Sequence, residues 1–122
     1  MVYVFFSAAK TLPTSVASLV ALALVLPACG SSSEAVEAVM ALTGEVASGE
    51  LLYLENCADC HLEDGSGDRG PSLIFHVPKH PDRYLVRLIL DGKGDMPAFN
   101  ELADQDIADV LAYLRGTFGE QE

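Results

Sequence analysis

The run Cys57-Ala58-Asp59-Cys60-His61 constrains this chain more than any other stretch of its 122 residues. Two thiols three positions apart can each add across a vinyl group on one edge of a porphyrin. The imidazole that follows the second thiol is then held beneath the ring plane, within reach of iron. Two other chemistries use similar spacing. A thioredoxin-type redox pair opens a helix that follows a strand, and no strand signal precedes Cys57. A structural zinc site needs four ligands, and beyond the run the chain offers only Cys29, His76 and His80. Attachment of a c-type haem is the reading that uses every residue of the run, with Cys57 and Cys60 as thioether positions and His61 as the proximal iron ligand.

The first 28 residues read as an export signal. Met1 to Lys10 carries one positive charge, and Leu12 to Leu26 is apolar or small. That core is short for a membrane span and ends in small residues. Leu26-Pro27-Ala28-Cys29-Gly30 resembles a bacterial lipoprotein processing site, with Cys29 as the lipidated first residue of the mature chain. Pro27 and the weakly basic start depart from that pattern, and an ordinary cleaved signal or an uncleaved anchor are the alternatives. The expected organisation is a signal over 1–28, a tether over 29–44, a single domain over 45–119 and an acidic tail over 120–122. The chain is expected on the periplasmic side of a bacterial membrane, held by lipid.

Charge narrows the partners. Removal of residues 1–28 takes Lys10 and no acid, leaving 94 residues with eighteen acids against six bases, a net charge of −12. Such a surface repels nucleic-acid phosphates. It either steers the protein towards a basic docking patch or simply keeps it soluble.

Periodicity predicts helices and no strands. Glu34 to Met40 is long enough for a helical turn. Val46 to Asn56 forms a helix running into the motif, and Gly49, Tyr53 and Cys57 share one face at spacings of four. Glycine costs about 1 kcal/mol in a helix interior relative to Ala, which points to close approach of another backbone at Gly49; the alternative is a late helix start. Residues 62–71 form a polar loop of turn formers. The Pro71 carbonyl is the candidate acceptor for the non-ligating N–H of His61, and Leu73, Ile74 and Phe75 supply apolar contact. Pro81 to Leu90 is a second helix, with Tyr84, Leu85, Leu88 and Ile89 facing inward. Asp104 to Phe118 is the last, burying Ile107, Val110, Leu111, Leu114 and Phe118. Between them, the loop Gly92 to Phe99 presents Met96 just before Pro97. A Met in such a loop is less easily explained as core filler than one on a helix face such as Met40. It is the candidate distal iron ligand, ahead of His76 and His80, with packing as its plain alternative.

With those residues in view, the chain resembles a class I c-type cytochrome over about residues 45 to 118. Cys57, Cys60 and His61 match the family's thioether and proximal-ligand positions, Gly70-Pro71-Ser72-Leu73 its proximal-side segment, and Met96 its distal ligand. Gly49 and Tyr53 match first-helix positions that cross the last helix at Val110 and Tyr113. The resemblance implies an all-α cytochrome c fold, three main helices and loops wrapped around one covalently attached haem. Two features depart from the family. No Trp is present to reach a propionate, leaving Arg69, Tyr84, Arg87 and Lys93 as substitutes. Ala103 stands where a capping Ser or Thr is usual. Two axial protein ligands leave no open iron position, which favours electron transfer over catalysis. The expectation is a one-electron carrier between redox protein partners such as respiratory or dehydrogenase complexes, with no small-molecule substrate. The rivals are a haem enzyme or gas sensor with a displaceable Met, a thiol or metal module, and a cytochrome subunit of a larger oxidase or dehydrogenase.

Overall fold

A computed structural model describes residues 32–119 of the chain. The signal, Cys29 and the acidic tail lie outside the described residues. The order is α1 (Ser32–Met40), α2 (Val46–Asn56), α3 (Ala58–His61), α4 (Leu73–His76), a 3-10 turn (Val77–Lys79), α5 (Asp82–Asp91) and α6 (Asp104–Phe118). Among the described residues no strand forms, and the nearest thing to one is an isolated bridge between Lys93 and Met96.

The frame is the crossing of α2 over α6. Gly49 is buried there, and a Cβ at that position would overlap the carbonyl oxygen of Asp109. Gly44, just before α2, lies equally close to the carbonyl of Ala108. The helices therefore approach backbone to backbone, which only a residue without Cβ allows. Aromatic rings lock the crossing one turn further on. Tyr53, fully buried, has its ring centroid 5.1 Å from that of Tyr113 and 5.8 Å from that of Phe118. The last two meet edge to face at 85°, the arrangement that the aromatic quadrupole favours. Leu111, expected in the core, is only partly buried, and Tyr113 takes its place.

Buried polar groups complete the frame. Asp109, in the middle of α6, is 6% exposed. Its Oδ1 accepts from the Glu45 backbone N–H at 2.8 Å and from Gln105 Nε2 at 2.7 Å. Gln105 Nε2 also donates to the Thr43 carbonyl, fixing the approach to α2. With Ala103 at the head of α6, no side-chain oxygen is available there. Asp106 accepts from the Ala103 N–H at 3.3 Å instead, which keeps the reciprocal half of a capping box.

The segment expected to be a tether is not one over most of its length. Residues 32–40 form a full helix, and Val36 and Val39 are buried in the core beside α5 and α6. Burying two valines contributes about 3 to 5 kcal/mol in area terms, enough to hold a short helix that would not persist alone. The packed unit thus begins before residue 45. An exposed ion pair between Glu37 and Arg83 spans α1 and α5 and adds little.

Helix α5 starts one residue later than periodicity predicts. Pro81 is its N-cap, and Gly92 ends it at φ +69°. Leu85, Val86, Ile89 and Leu90 are buried, while Tyr84 and Leu88 are half-buried. Arg115 of α6 holds the entry to this helix. Its Nε donates to Asp82 at 2.6 Å, Nη1 to the Val77 carbonyl at 2.6 Å and Nη2 to the His80 carbonyl at 2.5 Å. One guanidinium thus reaches two carbonyls, and the Val77 carbonyl otherwise accepts only a long 3.4 Å bond from the His80 N–H. Arg115→Met is expected to lower unfolding free energy by about 2 kcal/mol, chiefly because both carbonyls lose their short charged donor; the ion pair itself is partly exposed and screened. Denaturant titration of the parent and variant checks this, and a midpoint equal to the parent's would refute it.

Candidate haem site

The motif is presented by a break between two helices. Cys57 ends α2, and α3 carries Ala58 to His61. The following loop folds back on it. Gly67 N–H donates to the His61 carbonyl, and Asp68 and Gly70 N–H groups both donate to the Cys60 carbonyl, at 2.9 to 3.1 Å. Gly65 and Gly67 have φ of +70° and +85°, which favours glycine. Gly70 rests against the His61 ring, where a Cβ would come within 2.7 Å of Cε1. Leu62 accepts φ +62° with ψ 157°, a region costly for a side-chain-bearing residue. Its carbonyl receives a 2.6 Å hydrogen bond from the buried Tyr53 hydroxyl.

His61 is buried, and its Nδ1 lies 2.9 Å from the Pro71 carbonyl oxygen. A carbonyl only accepts, so Nδ1 carries the hydrogen and Nε2 keeps its lone pair free. That is the tautomer a metal-ligating imidazole needs.

His61 opens onto a cleft of two adjoining chambers, of about 500 Å³ and about 580 Å³. Cys57, His61, Pro71, Lys93 and Met96 line both. The first chamber is walled by Tyr53, Leu73, Val77, Leu85, Leu88, Ile89, Val110 and Leu114, with His76, His80 and Tyr84 on one side. The second adds Asn56, Cys60, Arg69, Gly70, Asp95, Pro97 and Phe99. Each is within the size range of a ligand pocket. An apolar cleft floored by two thiols and a free imidazole nitrogen fits a covalently attached haem.

Met96 reaches the cleft from a tight turn. Lys93 and Met96 exchange two backbone hydrogen bonds of 3.1 Å, with Gly94 between them at φ +60°. Phe99 N–H donates to the Ile89 carbonyl at 2.9 Å, fastening the far end of the loop to α5. The Met96 backbone is therefore held on both sides. Leu73 and Tyr84 line the first chamber, as do His76 and His80, whose rings lie 6.0 Å apart and 12° from parallel. Of the four residues offered for the propionates, Arg69, Tyr84 and Lys93 line the cleft; Arg87 lines neither chamber. Arg69 also donates to the Asp59 carbonyl at 3.0 Å.

Sequence reasoning missed two supporting residues, Asp109 and Arg115. An acid on the buried side of a helix that otherwise reads as apolar was the available signal for the first. Nothing in periodicity marks the second.

Two titrations follow from burial. Desolvation, then the neighbouring Cys60, pushes the Cys57 thiol up to about 11, the opposite of a reactive redox thiol. Burial likewise raises the Tyr53 phenol well above its ordinary value near 10. A group with a raised folded pKa contributes stability that is present below its unfolded pKa and lost as pH rises through the folded one. Through Tyr53, whose ordinary value is near 10, stability should therefore fall above about pH 10. Tyr53→Phe should remove that component while costing about 1 kcal/mol at neutral pH through the lost bond to Leu62. Denaturant midpoints from pH 7 to 11 test both, and an unchanged alkaline slope in the variant would refute it.

Comparisons with known proteins agree with this geometry. The sequence pattern of the family described as "Cytochrome C oxidase, cbb3-type, subunit III" matches residues 44–114. Cytochrome c-551 of Bacillus subtilis is 33% identical over 95 residues, covering 75% of this chain and 83% of that protein. A cytochrome c-553-like protein of Synechocystis is 33% identical over 101 residues, covering 82% of this chain and 95% of its own. The crystal structure of cytochrome c6 from the diatom Phaeodactylum tricornutum superposes with a TM-score of 0.51 at 30% identity, covering 60% of this chain and 93% of that one. With the thiol pair, the imidazole and the apolar cleft in one place, the chain belongs to the c-type cytochromes: an all-helical electron-transfer protein, not an enzyme, with one covalently bound haem c.

Proposed function

We propose that this cytochrome is an exported one-electron carrier whose haem iron is held by His61 and Met96, with thioether bonds at Cys57 and Cys60. The single observation that carries the reading is the bond between His61 Nδ1 and the Pro71 carbonyl, which leaves Nε2 for iron in a cleft that Met96 also lines. When bound, the haem supplies a reversible one-electron couple. The chain's own residues do the rest. Pro71 holds the imidazole in one tautomer. Leu73, Val77, Leu85, Leu88 and Ile89 exclude water and keep the local dielectric low. The Lys93–Met96 turn fixes the backbone from which the Met96 side chain reaches the cleft. Arg69, Tyr84 and Lys93 are the polar groups offered to the propionates.

Ferric protein tests the ligand pair: a weak far-red band from a thioether on iron is expected at neutral pH, and a high-spin spectrum would reject Met96. The redox partners are membrane or exported complexes, in keeping with a family pattern described by an oxidase subunit. Among the described residues no helix is long and apolar enough to cross a membrane. We assign membrane attachment to lipid at Cys29, on the resemblance of Leu26 to Gly30 to a processing site. Cys29→Ser should release the protein from membranes into the soluble fraction; a variant that partitions like the parent removes lipid as the anchor.

A further inference from the structure

Helix α2 is apolar on two faces. Gly49 and Tyr53 are buried against α6, while Ala47, Leu51 and Leu54 are all exposed. At 3.6 residues per turn these three share a narrow arc on the side opposite the buried pair. Leu51 is 70% exposed and Leu54 is 42% exposed, and neither lines the cleft. Glu50 and Glu55 stand exposed on either flank of the arc. From Ser32 to Asp68 the chain carries nine acids and no Lys or Arg. A single exposed leucine is ordinary. Two neighbouring leucines on the outermost line of a helix, rimmed on both sides by charge of one sign, have the make-up of an interface core with a polar rim.

We propose that this face of α2 docks on a partner protein that presents an apolar depression rimmed by Lys and Arg. Charge decides against the other occupants. A second copy related by a twofold axis would bring the Glu50 and Glu55 carboxylates of both copies to one interface. Helices that lie on anionic lipid carry basic residues beside their apolar face, not carboxylates. The face points away from Tyr53, so docking there leaves the haem cleft open for a separate redox contact. It is therefore suited to lasting attachment to a complex, and it rests on the carrier reading only for its purpose, not for its chemistry.

The test uses full-length, haem-loaded protein made in its own cells, with a photoactivatable leucine analogue at position 51 and, as a control, at exposed position 87 of α5. Illumination should give a discrete adduct from position 51 but not from 87. Its cross-linked peptide, read by mass spectrometry, should come from another protein and contain Lys or Arg. Glu50→Lys combined with Glu55→Lys should cut the yield of that adduct about tenfold with the haem spectrum unchanged. Adducts to lipid, to a second copy or to residues 1–31 of the same chain would overturn the proposal. No adduct, or an adduct insensitive to charge reversal, would overturn it too. A parent protein without a covalent haem spectrum would strike the carrier reading instead, independently of where position 51 cross-links.

Discussion

Met96→Ala is expected to lower the midpoint potential by on the order of 0.1 V or more, within the roughly 0.8 V over which axial ligands set haem potentials. A thioether favours ferrous iron relative to a second nitrogen or an oxygen ligand, so its removal stabilises the ferric form. Alanine also opens one iron position in the cleft, and exogenous imidazole or cyanide should bind the variant rapidly and the parent slowly. The turn itself should survive, because the bonds between Lys93 and Met96 are made by backbone and Gly94 supplies the positive φ. Potentiometric titration with ligand-binding kinetics checks this. A parent-like potential would show that the sulfur of Met96 is not on iron, leaving His76 or His80, which line the same chamber, as the residues to replace next.

Gly49→Val should destabilise the protein by about 3 kcal/mol or more, the upper range for overpacking. The reason is geometric: even the first carbon of a side chain would overlap the Asp109 carbonyl, and the next residue it meets is Tyr113, with Cβ at 2.9 Å. A flexible side chain could yield at such a place, but the α6 backbone cannot. Relief would separate α2 from α6, disturb the Tyr53, Tyr113 and Phe118 rings and pull at the bond from Glu45 N–H to Asp109. Ala47→Val, on the exposed side of the same helix, controls for the lower helix propensity of valine and should change stability by less than about 1 kcal/mol. Denaturant unfolding of the haem-loaded proteins decides the matter; Gly49→Val within that same margin of the parent would mean the helices can part there without loss.

The contrast between the outer helices and α1 shows what periodicity carries. Helices α2 and α6 span the residues that spacing predicts, because α6 buries a continuous apolar stripe and α2 meets it at Gly49 and Tyr53. The segment at 34–40 offered only two valines and a terminal Met40 among acids and alanines. Its helix exists because α5 and α6 provide a surface to cover Val36 and Val39, and no local signal states that such a surface will be there. The clamp by Arg115 is similar: its three partners lie 33 to 38 positions away in sequence, and a charge near a helix end has an adequate local explanation in the macrodipole.

By itself, the order of residues determined the chemistry. Thiols at 57 and 60 with an imidazole at 61 admit few cofactors, and a carbonyl-bearing proline and a thioether in separate loops are the groups that cofactor calls for. Helical class followed from spacing alone. Tertiary structure decided which polar groups line the cleft: Arg69, Tyr84 and Lys93 do and Arg87 does not. It also decided that Asp109 can be buried with its bonds satisfied and that α2 turns Leu51 and Leu54 outward. Those outcomes depend on the angle and distance at which helices meet, and these are set by contacts between residues far apart in the chain, where a periodic pattern carries no information.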